Sequence, residues 1–253
     1  MPTSVQSRAV YMKRPDTSGL YDERVDFFNP VIWLDELSAF YQDAGITPAD
    51  AAGEVVGQWT DRSGNAFHAN ASGGNRPPLV SVGGVLLPDF DGTGHRLLIT
   101  NNAAFADLEA LTILMRVIVD TTGGGGEGYF WDYAGTSGYD MRFDSSLAAL
   151  RLSVDGTSDA TILTTEGVTA GVEAWLWATF DNAGDRKVRL WNPSPLAGSA
   201  IAMTGSLIPP AGDLYLATNS ALDKKYDGRY RAFIVWPSVL TPQNMRWIMN
   251  GAG

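Results

Sequence analysis

Cysteine is absent from the 253-residue sequence, which excludes disulfides, thiolate metal sites and thiol nucleophiles. A chain of this length buries enough surface to fold without such staples. Histidine is nearly absent, only His68 and His95 being present. Both lie in polar Gly/Asn-rich segments, which leaves little material for a multi-histidine metal centre or a Ser-His-Asp triad. No basic run offsets the formal net charge of −10, so the chain would repel a nucleic-acid backbone, and nucleic acid is not an expected partner. No apolar window approaches the ~20 residues of a membrane helix, and the opening MPTSVQSRAVYMKRPD lacks the apolar stretch of a signal peptide. The expectation is a soluble chain with no Sec-type leader and no membrane insertion.

Paired carboxylates are also missing. Glycoside hydrolysis needs two of them about 5–10 Å apart, typically from Glu and Asp alternating on one strand. Glu23, Glu36, Glu54, Glu109, Glu127, Glu166 and Glu173 stand apart, and none lies in such an alternation. Asp140 and Asp144 flank one candidate strand, but with no partner to raise a pKa they read as a solvated rim. Catalysis is not expected.

What is present is β-forming. Hydrophobic residues make up 45% of the chain and charged ones 18%, with 28 Gly and 13 Pro, a balance suited to short strands joined by many turns. Strands are predicted at 31–34, 55–59, 79–82 and 85–90, the last two around a Gly83-Gly84 turn. Leu111–Val119 reads as a long central strand, followed by a loop through the Gly123–Gly126 tract, which has no Lys or Ser/Thr in P-loop register. Further strands are predicted at 128–133, 139–143, 149–154, 174–180, 187–191, 213–217 and 230–236. Such spacing is that of an antiparallel sandwich. Thr241 as N-cap, Pro242 at the first helical position and the Asn250-Gly251 stop predict a C-terminal helix, and residues 36–50 have room for another. Residues 1–26 are polar and aperiodic and read as an extended N-terminal arm that docks on a partner. Residues 27–253 read as one domain.

Three segments then carry a resemblance. The first holds Trp33-Leu34-Asp35, Trp59-Thr60-Asp61-Arg62-Ser63-Gly64-Asn65, His68-Ala69-Asn70, Arg76-Pro77 and Asp89-Phe90-Asp91-Gly92. The second is Leu111–Val119 with the pair Ala174–Phe180 and Lys187–Trp191. The third runs from Tyr226-Asp227-Gly228-Arg229-Tyr230 through Trp236 to Leu240-Thr241-Pro242. In this order, over about residues 30–250, they resemble laminin-G-like, concanavalin A-like jelly-roll domains. The chain departs from that pattern at Arg231-Ala232-Phe233-Ile234, where the family has an acidic residue, and at Asn192-Pro193-Ser194, where it has an Asp-Gly turn. The resemblance implies an all-β, two-sheet jelly roll.

Similar domains gather acidic loops at one rim, so Asp89, Asp91 and Asp227 are the expected ligands if calcium binds; Asp61 is read as capping its own turn, with calcium as the alternative. Tyr129, Trp131, Tyr133 and Tyr139 are the candidates for a sugar-stacking platform, since Tyr and Trp pair an apolar face with a polar handle. The arm, the lack of a leader and the likeness to stand-alone phage-encoded laminin-G-like domains lead to a non-enzymatic virion protein. It would be a capsid decoration, head fibre or spike, or tail-associated protein, displayed on the virion surface, held to other virion proteins by its arm and touching host glycans. The alternatives are a calcium-dependent lectin module of a bacterial surface protein and, last, a glycoside hydrolase.

Overall fold

The computed structural model describes residues 18–102, 104, 110–123, 126–133, 138–143, 146–147, 149–154, 160–163, 167–181, 187–191, 198–202 and 212–250. They divide into two compact units, residues 30–240 and a helical unit formed from the two ends of the chain.

Residues 30–240 form two antiparallel sheets. The first has eight strands among the described residues. Its strands are β1 (Ile32–Asp35), β5 (Leu79–Val82), β6 (Val85–Asp91), β8 (Ala110–Thr121), β13 (Glu173–Asp181), β14 (Lys187–Trp191), β15 (Gly198–Ala202) and β17 (Asp227–Trp236). They run in the order β15-β14-β13-β8-β17-β6-β5, with β1 also on β17. The second sheet has nine: β2 (Phe40–Tyr41), β3 (Gln58–Trp59), β4 (Ala69–Asn70), β7 (Leu97–Ile99), β9 (Tyr129–Tyr133), β10 (Tyr139–Phe143), β11 (Leu150–Val154), β12 (Ala160–Leu163) and β16 (Leu214–Leu216). Their order is β12-β11-β10-β9-β16-β7-β4-β3-β2. This is the all-β, two-sheet sandwich expected from the sequence.

Period-2 alternation fills the space between the sheets. Along β8 the odd positions Leu111, Ile113, Met115, Val117 and Val119 enter the core; from the opposite sheet come Trp131, Tyr133, Met141, Phe143, Leu152, Leu214 and Leu216. Each such side chain contributes about 1.5–3 kcal/mol by leaving water. Phe90, Tyr226 and Tyr230 meet edge to face within 5.2–6.3 Å, the geometry that aromatic quadrupoles favour. The two buried phenols are satisfied by backbone carbonyls: Tyr226 donates to Ile118 O at 2.9 Å and Tyr230 to Phe130 O. The β5–β6 hairpin closes on Gly83 and Gly84, both at positive φ (+61° and +84°), as a two-residue turn requires.

Residues 36–50 are not helical. Backbone donors are captured locally instead: Asp43 accepts from Ile46 N and Thr47 N, each at 2.9 Å, and Asp35 accepts from Leu37 N at 3.0 Å. Asx turns of this kind outcompete a helix. Of the strand predicted at 55–59 only Gln58–Trp59 is regular.

In the other unit, α1 (Ser18–Phe27) and α2 (Pro242–Met249) lie together. The predicted C-terminal helix is there, closed by a reciprocal capping box between Thr241 and Asn244. The N-terminal segment differs from the aperiodic arm expected: its described part is a helix with Tyr21 and Val25 buried. One i,i+4 pair is too short a period to read in sequence. Residues 1–17 lie outside the described residues.

Candidate functional site

On the second sheet the alternate positions, those pointing away from the core, make a row that is polar except at Leu98. Strand register carries it from Tyr41 to Gln58, Asn70, Leu98, Tyr215, Asp132, Asp140 and Ser153. One step along the strands, Tyr129, Arg142 and Arg151 form a second row. Most of these side chains are half-buried; Ser153 is buried.

A bulge shapes this face. Met141 pairs with Trp131, yet Arg142 pairs with Tyr129, so Phe130 is skipped. Phe130 and Trp131 consequently both face the core, and Tyr129 returns to the outer row. This corrects the predicted stacking platform. Trp131 (0% exposed), Tyr133 (3%) and Tyr139 (2%) are core residues, because strict alternation places them opposite the first sheet. Of the four, Tyr129 alone remains on the outer face. Its ring lies under the Arg142 guanidinium at 4.8 Å, and its hydroxyl accepts from Arg142 Nη1 at 2.5 Å. Burial, helped by the Asp140 charge, pushes its phenol well up, so the hydroxyl stays neutral.

Asp140 is held by Arg142 at 2.6 Å. Asp132 accepts from Ser220 N at 2.6 Å and thereby pins the 217–225 loop beside the face. That loop is braced from within, since Asn219 Oδ1 accepts from Asp223 N and Lys224 N, each at 3.1 Å. Burial raises the Asp132 carboxyl, against the lowering effect of its Ser220 bonds. Across the same face Gln58 donates to Asn70 at 3.0 Å. Carboxylates, amides, guanidinium and phenol thus share one half-buried surface. Asp132, Arg142, Arg151 and Tyr215 went unrecognised in sequence; alternation within 139–143 and 150–154 was the available signal, but only cross-strand register joins the rows.

The predicted calcium trio is adjacent but engaged. Asp227 stands opposite Asp91 and Arg229 opposite Asp89. Asp89 is paired with Arg229 at 2.9 Å, and Asp227 accepts from Thr121 Oγ1 at 2.6 Å. Asp91 accepts from Thr93 N, Gly94 N and His95 N at 2.8–3.1 Å. Among the described residues no three His, Asp or Glu side chains are grouped to hold a metal ion. Asp61 is a turn cap, accepting from Trp33 N at 2.8 Å, Ser63 N at 3.0 Å and Phe67 N at 3.0 Å. Asp144 lies outside the described residues.

The first sheet brings together two glutamates that are remote in sequence. Arg116 reaches Glu173 at 2.5 Å and Glu36 at 3.4 Å, while Arg231 reaches Glu173 at 2.8 Å. A register shift skips Arg231 and turns it to the same side as Arg116. Each carboxylate is tied to guanidinium, an arrangement that suits structural pairing better than the separate acid and base of a hydrolase.

No protein-family model matches the chain, and no curated protein does. Solved structures do. The binding domain of botulinum neurotoxin serotype D/C matches with a TM-score of 0.63 at 11% identity, over 89% of this chain and 52% of that one. The binding domain of Paraclostridial Mosquitocidal Protein 1 matches with 0.60 at 11% identity, over 87% and 52%. A structure of botulinum neurotoxin type C, whose cell entry is described as dependent on two ganglioside molecules, matches with 0.58 at 10% identity, over 94% and 53%. The chain spans about half the length of these structures. What they share with it is a β-sandwich, a likeness of fold alone.

Proposed function

We propose that this chain is a non-enzymatic carbohydrate-binding module that attaches its carrier to a glycan-bearing surface. The observation that carries this reading is the outer face of the second sheet, where Tyr129, Asp132, Asp140, Arg142 and Tyr215 stand in register around a pinned loop. Fixed polar groups of both signs with ring edges between them suit vicinal hydroxyls and the apolar faces of pyranose rings. The fold shared with toxin receptor-binding domains, one of them described as ganglioside-dependent in cell entry, supports the same reading by analogy of architecture. The setting is a virion surface, as the sequence suggests, with the N-terminal segment toward other virion proteins. Support for that setting is the resemblance to stand-alone phage-encoded domains.

The test is a glycan array probed with the purified chain and with Asp132→Ala and Tyr215→Ala. At least one glycan class binds the native chain, and each variant lowers that signal about tenfold or more while its thermal melt stays cooperative, as expected for lost contacts worth ~1.4 kcal/mol or more. Undiminished binding by both variants would remove this face from the reading. Release of reducing sugar from a bound glycan would replace the module with an enzyme.

A further inference from the structure

We infer that Asp132 is a positioning residue, which holds the 217–225 loop in place as a wall of the glycan site on the outer face; this rests on the carbohydrate-binding reading above. The loop joins β16 to β17, and its shape is set from within. Asn219 Oδ1 accepts from Asp223 N and Lys224 N, each at 3.1 Å, and Asn219 Nδ2 donates to Asp223 Oδ1 at 2.7 Å. Leu222 N donates to Asn219 O at 3.0 Å. Ala217 and Leu222 hold positive φ, +66° and +62°, a conformation that persists in non-glycine residues where the surroundings over-determine it.

The base of the loop is fixed separately. Ala217 N donates to Phe130 O at 2.9 Å and Tyr226 N to Ala217 O at 3.0 Å, while Lys225 Nζ donates to Thr93 O. At the tip Ser220 and Ala221 are exposed, and there Ser220 N donates to Asp132 Oδ2 at 2.6 Å. Asp132 pairs with Tyr215 on one side and Asp140 on the other, so this bond brings the tip to the outer row between those two residues. Shape and position thus have different sources: Asn219 braces the loop, and Asp132 places it. Burial raises the Asp132 carboxyl in spite of its Ser220 bonds, so its charge works against stability at neutral pH. That cost is intelligible where a side chain serves a site, since a wall held ready for a ligand saves the ordering that binding would otherwise require.

Amide hydrogen exchange and the glycan array test this together. In Asp132→Ala the Ser220 amide exchanges about tenfold or more faster than in the native chain, while the Asp223 and Lys224 amides keep their protection. Asp132→Asn, whose amide oxygen still accepts, keeps the Ser220 amide protected and binds the arrayed glycans within about threefold of the native chain, against the loss of about tenfold in Asp132→Ala. Asn219→Ala removes the inner brace, leaves Asp132 in place and lowers the same signals about tenfold; the double variant Asp132→Ala/Asn219→Ala loses little more than either alone, because both act through one loop. Losses that multiply to about a hundredfold in the double variant would make Asp132 a direct ligand and overturn the inference. So would Asn219→Ala binding as the native chain does, or a Ser220 amide whose exchange Asp132→Ala leaves unchanged. Each of these results leaves the carbohydrate reading standing. No signal from the native chain for any glycan on the array would bring down that reading and the loop's part in it together.

Discussion

Two aromatic residues two positions apart in one strand have opposite fates. Trp131 is sealed between the sheets beside Phe180, with ring centroids 6.1 Å apart. Tyr129 sits on the outer face under Arg142. Truncation should separate them. Trp131→Ala removes a large core side chain and is expected to cost about 3–5 kcal/mol, whereas Tyr129→Ala gives up a half-exposed ring and one hydrogen bond and should cost about 1 kcal/mol. Urea denaturation monitored by circular dichroism reads both; similar midpoints for the two variants would contradict the placement. The sequence shows both residues as aromatic in a strand, and alternation would put them on the same face. Only the pairing of Arg142 with Tyr129, which skips Phe130, sends them apart.

Among the strands, β8 and β17 form the spine of the first sheet, paired over Thr112–Thr121 and Asp227–Trp236 with two register shifts. At one shift Gly228 adopts φ +144°, and a Cβ there would stand 2.2 Å from Ile118 O. Gly228→Ala must push the two strands apart where β17 begins beside the end of β8 and is expected to cost about 2–4 kcal/mol. Gly53→Ala is the control. Gly53 also has positive φ, +90°, but a Cβ there would meet nothing within 4 Å, so only the ~1 kcal/mol of left-handed backbone is at stake. Thermal melts of the two variants decide the matter, and equal losses would mean that φ alone, and not the close approach, constrains Gly228. The sequence displays the Asp227-Gly228 pair as a turn signal, whereas Gly228 lies inside a strand. Local chemistry could not reveal this, because the constraint comes from a carbonyl about 110 residues away in sequence.

For the molecule as a whole, stability and binding respond to pH through carboxylates of opposite behaviour. Desolvation pushes Asp91 up, but bonds from Gly94, Thr93 and His95 outweigh it and hold the carboxyl well below its ordinary range. Asp91 therefore contributes stability that is present above the ordinary carboxylate pKa and lost as pH falls through the lowered folded value. Asp91→Asn should melt lower than the native chain at neutral pH and converge with it in acid. Asp132 has the reverse sign. Burial raises its folded pKa, so its charge opposes folding at neutral pH, and this penalty disappears as pH falls below the unfolded value. Asp132→Asn, whose amide oxygen can still accept from Ser220 N, should melt higher at neutral pH while binding glycan less well, the exchange expected of a functional side chain. Melting curves from pH 3 to pH 8 test both; an Asp132→Asn chain that melts lower at neutral pH would refute the second. The sequence by itself determined the sandwich class, most strand positions and the capped C-terminal helix, because period-2 alternation, turn residues and an N-cap are local signals. The tertiary structure alone decided which aromatics are core, which aspartates are already engaged and which polar residues share a face, because bulges and cross-strand register set the direction of each side chain.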